Sequence, residues 1–174
     1  MWRSRIIKFA DAPGLRPTPS RVRETLFNWL QADVINSHCL DLFAGSGALG
    51  FEAASRGANR VVQVESNPKV CEKLAENITG LAAMQITVIS QDAADFLQNA
   101  DARFDLVFLD PPFGQNLVAP TCRQLEGNGW LSDFAKIYVE AERHLRLTDM
   151  PANWRLLKNQ AAGDVGFYLY QRSA

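Results

Sequence analysis

The stretch Asp41-Leu42-Phe43-Ala44-Gly45-Ser46-Gly47-Ala48-Leu49-Gly50 decides the fold of this 174-residue chain. It sets three glycines at G-x-G-x-x-G spacing directly after a short apolar run, Cys39 to Leu42, and at the start of a helical pattern, Ala48 to Arg56. Glycines there let the backbone approach a ligand closely, and the helix start offers free amide donors. The spacing alone fits a dinucleotide site, an S-adenosylmethionine site or a purely structural turn. Asp41 tips the balance, because a carboxylate attracts an ammonium group and repels a pyrophosphate. The candidate cofactor residues here are Asp41, Gly45, Ser46 and Gly47.

Outward from this loop, short apolar runs alternate with helical patterns, as in stacked βα units on a mostly parallel sheet. Strands are predicted at Cys39 to Leu42, Arg60 to Glu65, Ile86 to Ser90, Phe104 to Leu109 and Lys136 to Glu140. Helices are predicted at Ala48 to Arg56, Pro68 to Thr79, Ala93 to Asn99 and Leu117 to Gln124, with Pro68 at a first helical position and Gly57 and Gly80 at helix C-caps. Trp154 to Lys158 and Val165 to Gln171 read as two strands with no room for a crossover helix, hence an antiparallel pair. Five parallel strands ending in such a hairpin point to a single-domain, Rossmann-like α/β fold: the seven-stranded, mostly parallel sheet of class I methyltransferases, with helices on both faces. Before it, Pro13, Gly14, Pro17 and Pro19 interrupt regular structure, and a helix capped by Thr18 or Ser20 follows, burying Val22, Leu26, Phe27 and Leu30. The division is a basic arm over residues 1–19 and one domain over residues 20–174.

Length and composition agree with one domain. No apolar run approaches the ~18 residues that cross a bilayer, and the N-terminus lacks the apolar core of a signal peptide, so the expectation is cytoplasmic. Cys39, Cys71 and Cys122 are odd in number and far apart, which fits reduced thiols. The net charge of −1 hides a gradient, since Arg3, Arg5, Lys8, Arg16, Arg21 and Arg23 face only Asp11 within the first 23 residues. Such a block marks either a polyanion-binding arm or an ordinary solvated surface.

Glu65 ends the second strand, 20 residues after Gly45, where an acid can accept hydrogen bonds from both hydroxyls of a ribose. Asp92 and Ala93 follow the third strand and, with Phe96 nearby, could bind an adenine; Asp92 reads equally well as a helix N-cap. Asp110-Pro111-Pro112-Phe113 closes the fourth strand, at the sheet edge that faces the ligand crevice. Its prolines remove backbone donors, so the Asp110 carboxylate and nearby carbonyls form an acceptor suited to an exocyclic amine, and Phe113 offers a stacking face. His38 and His144 lack partners at ligand spacing, and no metal is implied. Trp130, Trp154, Phe167, Tyr168 and Tyr170 read as core or sheet-face residues.

The glycine loop, Glu65, Asp92 and Asp110-Pro111-Pro112-Phe113 resemble the motif series of adenosylmethionine-dependent amino-methyltransferases. Gly14-Leu15-Arg16-Pro17-Thr18 and Arg21-Val22-Arg23-Glu24-Thr25-Leu26-Phe27-Asn28-Trp29-Leu30 resemble the bacterial 16S rRNA guanine-N2 methyltransferases of the guanine 966 type. The likeness spans nearly the whole chain. It implies S-adenosylmethionine as cofactor, Asp110 to Phe113 as the catalytic segment, and 16S rRNA in an assembled or assembling 30S particle as partner of a monomeric enzyme. It also implies an RNA-facing arm with Arg16, Arg21 and Arg23, and further family residues ahead of Trp2. Two alternatives stay open: a DNA adenine-N6 or cytosine-N4 methyltransferase, and an NAD-binding oxidoreductase sharing the glycine pattern.

Overall fold

The computed structural model describes residues 18–174. In chain order the elements are α1 (Ser20–Leu30), a 3-10 turn (Gln31–Val34), β1 (His38–Asp41), α2 (Ala48–Ser55), β2 (Arg60–Glu65), α3 (Pro68–Leu81), β3 (Ile86–Ser90), α4 (Ala93–Phe96), β4 (Phe104–Leu109), α5 (Val118–Gly127), β5 (Leu131–Glu142), β6 (Trp154–Ala162) and β7 (Val165–Arg172). The seven strands form one sheet in the order β3-β2-β1-β4-β5-β7-β6. The first five are parallel, and β7 lies between β5 and β6, antiparallel to both. This is the sheet expected from the sequence.

Parallel strands covered on both faces read as continuous apolar runs, and alternate side chains feed two cores. One contains Cys39, Val61, Leu106 and Phe108 with Leu26 and Phe27 of α1, Leu49 of α2 and Leu74 of α3. The other contains Leu40, Val62, Val107 and Ile137 with Leu97, Cys122 and Leu125 beneath α4 and α5. Ring contacts fix α1 in place: Phe27 lies tilted against Phe108 at 5.9 Å and Trp29 stacks on Phe167 at 5.3 Å, centroid to centroid. Trp130, Trp154, Phe167 and Tyr170 are buried, as a core role requires. All three cysteines are buried free thiols.

Helix ends supply the corrections. Neither Thr18 nor Ser20 caps α1; Pro19 occupies that position without a side-chain bond, because the Thr18 hydroxyl is drawn to buried carboxyls instead. Gly57, at φ +101°, does close α2, with the Gly57 and Ala58 amides donating to the Ala54 and Ala53 carbonyls at 3.2 and 3.0 Å. Gly80 does not close α3. It sits inside the helix, which runs on to Leu81, and Ala82 takes the left-handed conformation at φ +51°. Helix α4 stops at Phe96, short of Asn99. Strand β5 begins five residues before the expected Lys136, since an irregular pairing between Phe104 and Leu106 breaks the alternation over Ser132 and Asp133. Strand β6 continues to Ala162, leaving Gly163 and Asp164 as a two-residue turn.

Candidate active site

The chain runs from β1 outward to β2 and β3 on one side, and to β4 and β5 on the other. The C-terminal ends of the strands on either side of this switch bound a crevice, where open α/β sheets bind ligands. A cleft of about 690 Å³ lies there. It is lined by Asp41, Gly45, Ser46, Glu65, Asp92, Ala93, Asp110, Pro111, Pro112 and Phe113, so every cofactor and catalytic candidate except Gly47 reaches its wall. Five carboxyl groups line it, those of Asp41, Glu65, Asp92, Asp110 and Glu140, and no lysine, arginine or histidine among the described residues does so.

The glycine loop owes its shape to buried side chains beneath it. Gly45 and Gly47 have φ of +52° and +76°. A Cβ on Gly47 would meet Leu74, Phe51 and Gln63 at 2.5 to 2.9 Å, and one on Gly50 would lie 2.4 Å from Gln63 Nε2. Gly47 is thus set under the loop, as its pivot. Gln63 of β2 is wholly buried and donates to the Gly47 carbonyl at 3.1 Å and to Asp41 Oδ2 at 3.4 Å, while its own Oε1 has no partner among the described residues. Asp41 Oδ2 also accepts the Gly50 amide at 3.1 Å, which binds the first turn of α2 to the end of β1. Burial pushes the Asp41 carboxyl up to about 7, against the opposing effect of the Gly50 and Gln63 hydrogen bonds. The Ser46 hydroxyl accepts from the Ala48 amide at 3.4 Å.

Glu65 is clasped by two backbone donors, Gly45 N on Oε2 and Asn67 N on Oε1, both at 2.9 Å. Asp92 is the N-cap of α4: its Oδ1 accepts the Ala94 amide at 2.8 Å and the Asp95 amide at 3.3 Å. It lines the cleft as well, so the two readings of this residue coexist. After Asp110 the chain turns through a buried Pro111 and an exposed Pro112. The Gly114 amide donates to Glu142 Oε1 at 2.6 Å, which fixes the turn to the end of β5.

Of the three arginines expected on the RNA side, Arg16 lies outside the described residues. Arg21 is exposed and Arg23 half-buried on the first turns of α1, next to Thr18 and Pro19 at the cleft but not lining it.

Sequence reasoning missed Glu140, Tyr138, Thr18 and Gln63. Tyr138 donates to Glu140 Oε1 at 2.8 Å, and the Thr18 hydroxyl lies 3.3 Å from that oxygen and 3.5 Å from Asp110 Oδ2. Burial, reinforced by the neighbouring Glu140, holds Asp110 well above the usual carboxylate range. The Tyr138 phenol is raised for the same reasons. A signal was present, since Glu140 and Gln63 are lone polar residues inside apolar strands, Ile137 to Ala141 and Val61 to Val64.

The model of the family described as Conserved hypothetical protein 95 matches residues 1–171. The chain belongs to this family. Among curated relatives it is 47% identical over 173 residues to Ribosomal RNA small subunit methyltransferase D of Escherichia coli, covering 99% of this chain and 87% of that protein. It is 46% identical over 175 residues to the Haemophilus influenzae protein of the same name, covering 98% and 90%. The solved structure of yhhF from Escherichia coli superposes with a TM-score of 0.86 at 46% identity, over 94% of this chain and 91% of that one. An RNA methyltransferase from Salinibacter ruber, solved with S-adenosyl-L-homocysteine, shares the fold at a TM-score of 0.68 and 19% identity, covering 91% and 94%. The family chain described here therefore has the class I methyltransferase fold. Among its described residues no helix is long and apolar enough to cross a membrane.

Proposed function

We infer that this chain transfers a methyl group from S-adenosylmethionine to ribosomal RNA of the small subunit, and we propose the N2 amine of a guanine, of the 966 type, as the acceptor. The observation that carries the reading is the cleft itself, with five carboxyl groups, no cation among its described lining residues, and an acceptor-rich Asp-Pro-Pro-Phe edge. A pyrophosphate would meet these carboxyl groups with no cation among the described lining residues to offset them, which weighs against the NAD-binding oxidoreductase. A ligand bearing an ammonium and a sulfonium would be attracted. The names carried by relatives at 46–47% identity supply the rRNA.

The cleft suits this cofactor: Gly45, which has no Cβ, stands in its wall, and Asp41 and Glu65 flank it. We assign the methionine end to the loop around Gly45, Ser46 and Gly47 and to Asp41, the ribose to Glu65, and the adenine to Asp92 and Ala93. When bound, S-adenosylmethionine supplies a methyl group already activated by a positive sulfur. The protein's task is alignment and electrostatics. A guanine amine is a poor nucleophile because its lone pair is delocalised into the ring. Asp110 and the Pro111 carbonyl accept its hydrogen bonds and favour a pyramidal nitrogen, and Phe113 stacks on the base. A monomer acting in the cytoplasm on an assembled or assembling 30S particle completes the proposal, with Arg16, Arg21 and Arg23 on the RNA side.

The test compares methyl transfer to unmodified 30S particles, to free 16S rRNA and to duplex DNA. Product on the guanine N2 of the rRNA is expected; label on adenine N6 or cytosine N4 of the DNA alone would overturn the reading. Asp110→Ala should keep its affinity for adenosylhomocysteine and lose ~10² to 10³ in single-turnover rate.

A further inference from the structure

The sheet order divides the cleft in two. The lining that follows β1, β2 and β3 forms the half assigned to the cofactor, and the other half comes from Thr18 and Pro19 ahead of α1, the turn after β4, Glu140 of β5 and Val165 of β7. In this second half the side chains of Asp110 and Glu140 are carboxyls, and the Thr18 hydroxyl directs its one proton at them. Gln115 differs. It is exposed, it lines the cleft two residues after Phe113, and its carboxamide joins a donor to an acceptor, with no hydrogen bond to another described residue. Its backbone is held on both sides. Gly114 and Asn116 take the left-handed conformation at φ +78° and +52°, a region that glycine and asparagine tolerate best. The Gly114 amide is fixed to Glu142, and Val118 opens α5.

We propose that Gln115 is a specificity residue that reads O6 of the target guanine through its Nε2 amide; the inference rests on the reading that Asp110 faces the target amine. Along one edge a guanine presents its N2 amine, then N1–H, then O6, two donors followed by an acceptor. Asp110 and the Pro111 carbonyl supply two acceptors, and Gln115 supplies the donor, so the row matches guanine as a pairing cytosine does. Neither carboxylates nor proline carbonyls can satisfy O6, because both only accept. An adenine with its N6 amine at Asp110 would bring N1, an acceptor, to the middle of the row and a C–H towards Gln115. A cytosine entering by its N4 amine would bring N3, also an acceptor, to the middle. Each leaves acceptor facing acceptor with no hydrogen between them.

The experiment is single-turnover methylation of 30S particles by the unaltered protein and by Gln115→Ala and Gln115→Glu, after the methylated nucleotide has been mapped with the unaltered protein. On guanine the rate should fall about threefold to tenfold in Gln115→Ala, the loss of one neutral hydrogen bond, and about tenfold to a hundredfold in Gln115→Glu, which sets an acceptor against O6. Particles rebuilt with 2-aminopurine at the mapped position keep the amine and carry hydrogen in place of O6. There Gln115→Ala should match the unaltered protein. Calorimetric affinity for adenosylhomocysteine should be the same in all three proteins; a loss equal to the rate loss puts Gln115 on the cofactor and overturns the proposal. Equal rates on guanine, or a Gln115→Ala deficit as large on 2-aminopurine as on guanine, overturn this inference alone and leave the guanine reading standing. Mapping of the methyl group to an adenine or a cytosine overturns both.

Discussion

Glu65 at the end of β2 accepts the amide of Gly45 at 2.9 Å, and this one bond ties the glycine loop after β1 to the turn after β2. With Asn67 N on its other oxygen, the carboxylate is fixed before any ligand arrives. Each oxygen keeps a second lone pair for a hydroxyl.

Glu65→Ala should therefore do two things at once. Affinity for adenosylhomocysteine should fall about tenfold to a hundredfold, the cost of ~1.5 to 3 kcal/mol for losing bonds to a charged acceptor. The melting temperature should drop too, because two amides lose their partner. Calorimetric titration and thermal unfolding measure the two effects separately; an unchanged dissociation constant removes Glu65 from the binding site.

Asp41 predicts a pH dependence. Burial raises its carboxyl from 3.8 to about 7 in the folded chain, so its contribution to stability is fully present below the unfolded value and is lost as pH rises through about 7. Asp41→Asn, which keeps an oxygen for the Gly50 amide, should flatten the stability profile between about pH 4 and 7. Cofactor binding should run the other way, with adenosylhomocysteine held more tightly as Asp41 ionises. A stability profile identical in the two proteins would exclude Asp41 as its source.

Gly50→Ala tests the support beneath the loop. Its φ needs no glycine, yet the new Cβ would sit 2.4 Å from Gln63 Nε2, so overpacking of about 1–3 kcal/mol is expected. Combined with Gln63→Ala, the penalty should shrink. A double-mutant cycle with no coupling between the two positions would place the cost elsewhere.

Gly80→Ala should stabilise the protein by ~0.5–1 kcal/mol, read from chemical denaturation, since Gly80 lies inside α3 with no atom of the described residues within 4 Å of its missing Cβ. Any loss of stability contradicts the helical placement of Gly80.

Replacing Arg16, Arg21 and Arg23 together with Gln should weaken RNA binding and flatten its salt dependence. Each lost phosphate contact lowers the slope of log K by up to ~0.9 on a duplex and ~0.7 on a single strand. If these arginines instead brace the arm, the melting temperature falls while the slope stays the same.

The alternation of strand and helix patterns from Cys39 to Leu125 was legible because each element reports its own periodicity over a few residues. The glycine loop, Glu65 and Asp110-Pro111-Pro112-Phe113 were legible for a related reason: each sits at a strand end, and strand ends on one edge of a parallel sheet must converge. The misplaced helix ends were local failures, at Gly80 and Ala82, where the strained residue is not the one propensity favours. The start of β5 at Leu131 was hidden by an irregular pairing with β4, which no pattern inside β5 itself records.

By itself, then, the sequence determined the order of the elements, the hairpin at the C-terminus and the crevice residues that sit at strand ends, though not Thr18 or Glu140. Only the tertiary structure decided what those residues touch. Thr18 meets Glu140 across 122 residues of chain and Asp110 across 92, and Gln63 meets Asp41 across 22. These meetings follow from the registers of β1 with β2 and of β4 with β5, and from the packing of α1 on the sheet. Register and packing are set by the whole core at once, so a polar residue in an apolar strand shows that a partner is needed without saying which one it has.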